Sequence, residues 1–304
     1  MNLENLLSQN KKALRKKQNL EKILSAKEIH DLSKIYSYKG FVEVTVGECT
    51  FVMFSNNDDA VAKHYFWNGA NAYEDASLRI WEQLSKSCSF VLDIGAYTGV
   101  YSLVSAAANP ATHVHAFEPL DRVYSRVLIN QVANVFSRIN VFPQAVSDSN
   151  GKVELNIFSG DSVLVSASSL LEKQSVGREV YGKKTIETVT LDSHLKNNDI
   201  NVGLIKIDAE NAEHLVIKGA METLKKYTPD IFIEILNNDH NDEITKNLKS
   251  IGYTFYHIDD KNKILYNTSN IESSDNMYNL NTLCTLKTKD QLQEILQETG
   301  VEIH

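Results

Sequence analysis

Residues 90–99, Phe90-Val-Leu-Asp-Ile-Gly-Ala-Tyr-Thr-Gly99, form the stretch that decides the fold. A short apolar run leads into a turn with two glycines, and the residues after the turn favour a helix. A second apolar run, His113–Phe117, leads into Glu118, about 20 residues after the turn. A strand, a glycine turn, a helix and a strand-end acid at this spacing are typical of a nucleoside site on a doubly wound sheet, where the acid binds the ribose hydroxyls.

The charge of the turn distinguishes between nucleoside cofactors. The dinucleotide pattern needs glycine at positions 95, 97 and 100, whereas this chain has Tyr97 and Val100. Asp93 would repel a pyrophosphate and attract a cationic group. S-adenosylmethionine carries an ammonium, a sulfonium and no phosphate, and the N–H groups of Tyr101 and Ser102 at a helix N-terminus suit its carboxylate. The turn therefore favours S-adenosylmethionine over NAD.

The composition sets wider limits on function. The net charge of −8 argues against a nucleic-acid-binding surface, although residues 11–17 form a local basic run. No stretch approaches the ~20 apolar residues of a membrane-spanning helix, and the N-terminus lacks an apolar signal core. Three widely separated cysteines are typical of reduced thiols rather than a disulfide framework. A cytoplasmic globular protein is the expected class.

Hydrophobic periodicity predicts the order of elements. An N-terminal helical arm to about residue 35 and a β-hairpin precede the region in which strands and helices alternate, which is the pattern of a parallel sheet. The predicted strands are 40–46, 50–54, 90–94, 113–117, 139–146, 152–158, 185–191, 203–207, 231–235, 253–258, 263–266 and 282–286. The predicted helices after the arm are 74–84, 100–108, 121–134, 212–227, 243–250 and 291–297.

These elements predict an α/β fold with a mostly parallel, seven-stranded Rossmann-like sheet and helices on both faces. We expect a helical and hairpin extension over residues 1–72, a cofactor-binding domain over 73–290 and a C-terminal helix over 291–304. A Ser-rich insertion within residues 159–184 is expected to cover one end of the sheet and to contribute substrate contacts or form a surface loop.

Several motifs together resemble FkbM-type methyltransferases. They are Asp93-Ile-Gly-Ala-Tyr-Thr-Gly99, Ala116-Phe-Glu-Pro119, Asn130 with Asn134, Ala145-Val-Ser-Asp148, Thr190-Leu-Asp192, Leu204-Ile-Lys-Ile-Asp-Ala-Glu210, and Glu213 with Gly219-Ala220. The resemblance covers about residues 74–236. It implies a class I fold that uses S-adenosylmethionine, mainly for O-methylation of sugar or polyketide hydroxyls. One departure is Asn211, which replaces the family's usual glycine, although asparagine tolerates left-handed backbone better than most residues.

The resemblance also implies that the adenine lies near residues 145–147, at the end of the third parallel strand. Tyr73 and Glu74 would close over the methionine end. The complete set of predicted cofactor-binding residues is Asp93, Gly95, Ala96, Tyr97, Gly99, Ser102, Glu118, Pro119, Ala145, Val146, Ser147 and Asp208.

The candidate catalytic residues are the polar side chains near the ends of the fourth and fifth parallel strands. A hydroxyl acceptor must lose a proton, so a base is required. Asp208 is the predicted base or a contact to the methionine ammonium, and Glu210 is a substrate contact or an alternative base. Lys206 lies in an apolar run, and because burying its charge is costly we expect it to pair with Asp208 or with Glu234.

The predicted function is therefore O-methylation of a small-molecule or glycan hydroxyl, without nucleic acid as a partner. A non-catalytic cofactor-binding scaffold, an NAD-dependent nucleotide-sugar enzyme and an RNA methyltransferase that uses the basic arm are the alternatives. His240 is a further candidate base. A Mg²⁺ site at Asp208, Glu234 and Asn237 or Asp239 is a lesser alternative to a metal-free site. The sequence does not decide whether the chain forms a homo-oligomer.

Overall fold

The structure is a computed structural model that describes residues 2–158, 168–169, 180–196, 200–236, 239–273 and 280–304. Most of the predicted Ser-rich insertion lies outside these residues. The first elements are α1 (Leu3–Gln18), α2 (Ala26–Ile35), β1 (Gly40–Val46), β2 (Cys49–Ser55), α3 (Ala60–Asn68) and α4 (Asp75–Ser85). The next are β3 (Phe90–Ile94), α5 (Val100–Ala108), β4 (His113–Phe117), α6 (Asp121–Ala133), β5 (Ile139–Phe142), β6 (Gln144–Val146), β7 (Gly151–Phe158), β8 (Ser168–Ser169), β9 (Val180–Val189) and α7 (Leu191–Leu195). The last are β10 (Val202–Ile207), α8 (Glu213–Lys218), α9 (Met221–Tyr227), β11 (Asp230–Glu234), α10 (Asn241–Lys249), β12 (Thr254–Asp259), β13 (Ile264–Thr268), β14 (Asn281–Thr285), α11 (Lys289–Ile295) and β15 (Glu302–Ile303).

The central sheet positions the site. Among the described strands its order is β15-β13-β12-β14-β11-β10-β3-β4-β5. The five strands from β11 to β5 run parallel, and β14, β12 and β13 add antiparallel pairs. The mostly parallel α/β architecture is confirmed. The sheet has nine described strands rather than seven, because β13 and the short β15 extend one edge.

The strands β3 and β10 are buried on both faces because helices cover both sides of the sheet. All five residues of β3 are buried, as are five of the six residues of β10. Trp81 of α4 packs edge-on against Tyr101 of α5 and Phe232 of β11, which joins two helices to one face of the sheet. None of the helices in the described ranges has the length and apolar character needed to cross a membrane.

The N-terminal hairpin β1–β2 packs on the central domain through α6. The amide side chain just after α6, Asn134, accepts from the Val52 N–H at 2.8 Å and donates to the Val52 carbonyl at 2.7 Å. Arg126 of α6 donates to both carboxylate oxygens of Asp58 at 3.0 and 3.1 Å, and both side chains are about 8% exposed. Because two-sided polar contacts fix orientation, the hairpin and the loop that follows it are held against the sheet's helical layer.

Three local differences from the predicted elements have physical causes. The predicted strand 139–146 is two strands, because Pro143 has no N–H for a ladder; β5 joins the central sheet while β6 pairs with β9 in a second sheet. The predicted helix 212–227 divides into α8 and α9 at Gly219, where a Cβ would come within 2.1 Å of the Ser147 carbonyl oxygen. The helix α3 is absent from the predicted elements because apolar and aromatic residues occupy most of its nine positions, which leaves little polar contrast between its faces.

Candidate active site

The turn between β3 and α5 is shaped by left-handed backbone. Gly95 has φ +74° and Gly99 has φ +91°, while Tyr97 adopts φ +49°, which is uncommon for a residue with a side chain. A Cβ on Gly95 would lie 1.8 Å from the carbonyl oxygen of Asp208. Glycine is therefore required here so that the turn can approach the end of β10.

The backbone of this turn is bonded to the end of β4. The N–H groups of Gly95 and Ala96 both donate to the Phe117 carbonyl at 3.0 Å. The Tyr97 N–H donates to Glu118 Oε2 at 3.2 Å, and Glu118 Oε1 accepts from Leu120 N–H at 2.9 Å. Glu118 is 7% exposed, and burial raises its pKa to about 7. The predicted ribose acid is thus fixed beside the glycine turn.

Asp93 and Ser102 have a different arrangement from the predicted one. Asp93 Oδ2 accepts from the Ser102 N–H at 3.0 Å and from its hydroxyl at 2.6 Å. Both residues are buried, and burial raises the pKa of Asp93 to about 6. The prediction that the Ser102 N–H holds a cofactor carboxylate is wrong, because this donor is used by Asp93 to fix the start of α5.

The ends of β10 and β11 bring three of the predicted catalytic residues together. Lys206 Nζ lies 3.7 Å from Glu234 Oε2, which confirms one of the two expected pairings. Asp208 follows β10 and is hydrogen-bonded to the Glu234 side chain, and its own N–H donates to the Ile94 carbonyl at 2.9 Å. Burial raises the pKa of Asp208 to about 7, and burial together with the neighbouring Asp208 charge raises the pKa of Glu234 further. The raised pKa values favour one proton on this carboxyl pair near neutral pH.

The loop after β10 is also strained. Glu210 has φ +49° and Asn211 has φ +78°, so asparagine stands in the left-handed region as predicted. Glu213 Oε1 accepts from the N–H groups of Ala209 and Asn211, both at 3.0 Å. Glu213 is therefore buried and stabilises this loop through two backbone hydrogen bonds, in addition to its place in the first turn of α8.

A cavity at the carboxyl ends of these strands gathers the side chains described above. Its lining includes Gly95, Ala96, Tyr97, Pro119, Ala145, Val146 and Glu210, together with Asp93, Glu118, Lys206, Asp208 and Glu234. Three predicted cofactor residues, Gly99, Ser102 and Ser147, do not line it. The N–H of Ser147 instead donates to the Val189 carbonyl at 3.0 Å, which continues the pairing of β6 with β9 in the second sheet.

Comparison with known proteins decides the family. A model of the methyltransferase FkbM domain matches residues 93–255, which is more than half of the chain. The chain belongs to the FkbM methyltransferase family. It is 29% identical over 166 residues to the 2-O-methyltransferase NoeI of Sinorhizobium fredii, covering 50% of this chain and 67% of that protein. It is 27% identical over 169 residues to the methyltransferase sdnD of Sordaria araneosa, covering 48% of this chain and 65% of that protein.

Two solved structures are similar at low sequence identity. The methyltransferase FkbM of Methylobacillus flagellatus KT is 17% identical with a TM-score of 0.42, covering 66% of this chain and 44% of that one. A SAM-dependent methyltransferase of Agrobacterium tumefaciens is 9% identical with a TM-score of 0.45, covering 83% of this chain and 72% of that one.

Membership of this family implies S-adenosylmethionine as the cofactor. The charge of the cavity lining suits S-adenosylmethionine. Among the described residues that line the cavity, six are acids and one is a lysine: Glu74, Asp93, Glu118, Asp208, Glu210, Glu234 and Lys206. A cofactor with an ammonium and a sulfonium suits such walls, whereas a pyrophosphate would be repelled. Glu118, with both oxygens oriented by backbone N–H groups, is the predicted ribose contact.

Some residues of the cavity carry little or no signal in the sequence. Ala60 and Val61 at the start of α3 line it, and the Ala60 N–H approaches the Tyr97 hydroxyl at 3.4 Å. Tyr73 and Glu74 also line it, and their place near the methionine end stays a prediction. Nothing in the sequence marks α3 as part of a site, since its residues match no motif of the cofactor domain.

The geometry gives no support to His240 as a base or to a Mg²⁺ site, the two alternatives from the sequence. His240 stacks on His214 with ring centroids 3.7 Å apart, and neither residue lines the cavity. No group of three or more potential ligand side chains is arranged to hold a metal ion within the described residues. Asn237, which the Mg²⁺ alternative named, lies outside them.

Proposed function

We propose that this protein transfers the methyl group of S-adenosylmethionine to a hydroxyl of a sugar, glycan or natural product. The observation that carries this proposal is the Asp208–Glu234 carboxyl pair. It lies in the same cavity as the glycine turn and Glu118, and burial raises the pKa of Asp208 to about 7. A carboxylate with a pKa near the working pH is suited to accept a hydroxyl proton.

Some residues of the cavity bind the cofactor, and others act on the proton of the acceptor hydroxyl. Gly95 lets the turn approach Asp208, and Glu118 accepts from the ribose hydroxyls. When bound, S-adenosylmethionine supplies an electrophilic methyl group on a sulfonium. Asp208, in its ionised form, orients the acceptor hydroxyl and takes its proton, while Glu234 keeps the proton that the pair already holds and Lys206 balances the charge. Orientation of the two reactants contributes several kcal/mol to lowering the barrier.

The relative NoeI supports the hydroxyl acceptor, since its name describes a 2-O-methyltransferase. The acid-rich lining disfavours an acceptor that carries phosphate, because like charges would repel it. A cytoplasmic location and a small-molecule or glycan partner belong to the same proposal.

The test is transfer of label from methyl-labelled S-adenosylmethionine to a panel of sugars, glycans and natural products that carry free hydroxyls. We expect label in an alkali-stable methyl ether, and we expect Asp208→Asn to lose about 10²–10⁴-fold in rate. Asp192→Asn is the matched control, because Asp192 accepts from two N–H groups at the start of α9 and does not line the cavity.

Each contrary outcome has a defined meaning. Calorimetric binding of S-adenosylhomocysteine without transfer to any acceptor would favour a cofactor-binding scaffold. Displacement of S-adenosylhomocysteine by NAD would favour an oxidoreductase. Full activity of Asp208→Asn at neutral pH would remove Asp208 from the role of base.

A further inference from the structure

Asn281 contacts Lys206 and Glu74, two residues that line the cavity, although it lies outside the segment that matches the family model, residues 93–255. It begins β14, directly opposite Glu234 in the antiparallel register with β11. Its side chain is 1% exposed. No sequence motif marks it, and the mechanism above does not use it.

The ammonium of Lys206 is bound more closely by this neutral amide than by the neighbouring carboxylate. Lys206 Nζ lies 2.7 Å from Asn281 Oδ1 but 3.7 Å from Glu234 Oε2, which is beyond hydrogen-bond distance. The same ammonium lies over the Tyr101 ring, 5.0 Å from its centroid. The amide oxygen of Asn281, and not Glu234, therefore accepts the short hydrogen bond from this ammonium.

The orientation of the Asn281 amide is itself fixed. Its Nδ2 donates to Glu74 Oε2 at 3.1 Å and to Ser77 Oγ at 3.2 Å. Glu74 also accepts from the Tyr101 hydroxyl. Because the amide nitrogen is committed to a carboxylate and a hydroxyl on the α4 side, only the oxygen can meet the ammonium. Turning the amide over would place its donors against Lys206.

We propose that Asn281 is a positioning residue that holds the Lys206 ammonium away from Glu234, so that the Asp208–Glu234 pair keeps its shared proton. Its catalytic consequence rests on the proposed role of Asp208. The positioning itself is a property of the free protein and needs neither acceptor nor cofactor.

The charged groups near Lys206 and the carboxyl pair determine how a substitution of Asn281 would change the pKa of the pair. The acids that act on Lys206 are Asp208, Glu234, Glu74, Asp93 and Asp260. The groups that act on the carboxyl pair are Lys206, Glu210, Glu213, Glu74 and Tyr73. Without the amide oxygen, Lys206 would close on Glu234. Shortening their separation from 3.7 Å to about 2.8 Å, at an effective dielectric constant of about 20, lowers the apparent pKa of the pair by about one unit.

The experiment is a pH titration of carbon-13 carboxyl signals in the free protein, with the pair assigned through Asp208→Asn and Glu234→Gln. Asn281→Leu removes the amide at similar volume, and Asn281→Ser is a milder second variant whose hydroxyl is too short to reach Lys206. Asn68→Leu is the matched control. Asn68 makes an equivalent two-sided contact with the backbone of Leu24, at 2.9 Å in each direction, and does not line the cavity.

We expect the apparent pKa of the pair to fall by about one unit in the folded Asn281 variants and to stay unchanged in Asn68→Leu. In both Asn281 variants, an unchanged or raised pKa of the pair would overturn the proposal, as would an equal fall in the control. Failure of the protein to methylate any hydroxyl would refute the proposed function while leaving this titration to be decided on its own result.

Discussion

Gly95→Ala tests whether the close approach between the glycine turn and β10 is required. Gly95 has φ +74°, and its added Cβ would meet the carbonyl oxygen of Asp208 at 1.8 Å. Backbone atoms on both sides must move to relieve this contact, because no flexible side chain can rotate away. Gly300→Ala is the matched control, since Gly300 has φ +71° and nothing lies within 4 Å of the place that its Cβ would occupy.

The two substitutions separate backbone strain from the steric clash. Left-handed backbone costs a residue with a Cβ about 1–2 kcal/mol, and this cost applies to both variants. An overpacked site adds about 1–3 kcal/mol, and this cost applies only to Gly95→Ala. The free energy of unfolding should therefore fall by about 2–5 kcal/mol in Gly95→Ala and by about 1–2 kcal/mol in Gly300→Ala.

Urea unfolding measures these losses, and calorimetric titration with S-adenosylhomocysteine measures the site. We expect Gly95→Ala to lose cofactor affinity in the absence of urea, where most of the protein is still folded, while Gly300→Ala binds as the wild type does. Equal losses of stability in the two variants, or unchanged affinity in Gly95→Ala, would refute the argument that the turn must touch the end of β10.

Other predictions follow from the site and its supports. Between pH 8 and pH 5, kcat should fall as the pH drops through about 7, because protonation of Asp208 removes the base; a flat profile of initial rates would contradict this. Glu118→Gln should weaken S-adenosylhomocysteine binding by about tenfold or more in calorimetry, since hydrogen bonds to charged groups contribute about 1.5–3 kcal/mol. Asn211→Gly should change the urea unfolding free energy by less than about 1 kcal/mol, because its φ of +78° suits both residues; a larger loss would show a required side chain. Arg126→Met removes the guanidinium that pairs with Asp58 and should cost about 3–5 kcal/mol in the same assay, whereas a neutral result would make the pair dispensable.

The elements that can be predicted from the sequence are those whose patterns are local. The hairpin, β3, α5 and β4 have strong alternation or clear glycine signals, and their positions are confirmed within one residue. The cavity is predictable in outline, because parallel strands bring their carboxyl ends to one edge. Asp208, Glu234 and Glu118 meet there as expected.

The rest depends on contacts that local patterns do not contain. A helix N-terminus can bind an anion, so the sequence favours a contact between the Ser102 N–H and the cofactor. In the structure this N–H donates to the Asp93 carboxylate instead. Gly219 follows α8 at a place where a Cβ would clash with the Ser147 carbonyl, a contact that the local sequence does not reveal. Asn281 has no signal, since it directly precedes the predicted strand 282–286 and only the register of β14 shows its partner.

The register of β14 against β11 decides which side chain meets the buried Lys206. A change in the number of residues before β14 would therefore alter the surroundings of this lysine, although β14 is far from the glycine turn in the sequence. Side chains alternate along a strand, so inserting or deleting one residue next to position 281 would send the amide to the opposite face of the sheet and bring a neighbouring threonine or aliphatic residue inward. Relatives that match this chain only over residues 93–255 can thus share the cofactor cavity and still differ in the pKa of its carboxyl pair. Structure-guided alignment of their last antiparallel strand against Glu234 would sort them into subgroups that the glycine motif does not separate.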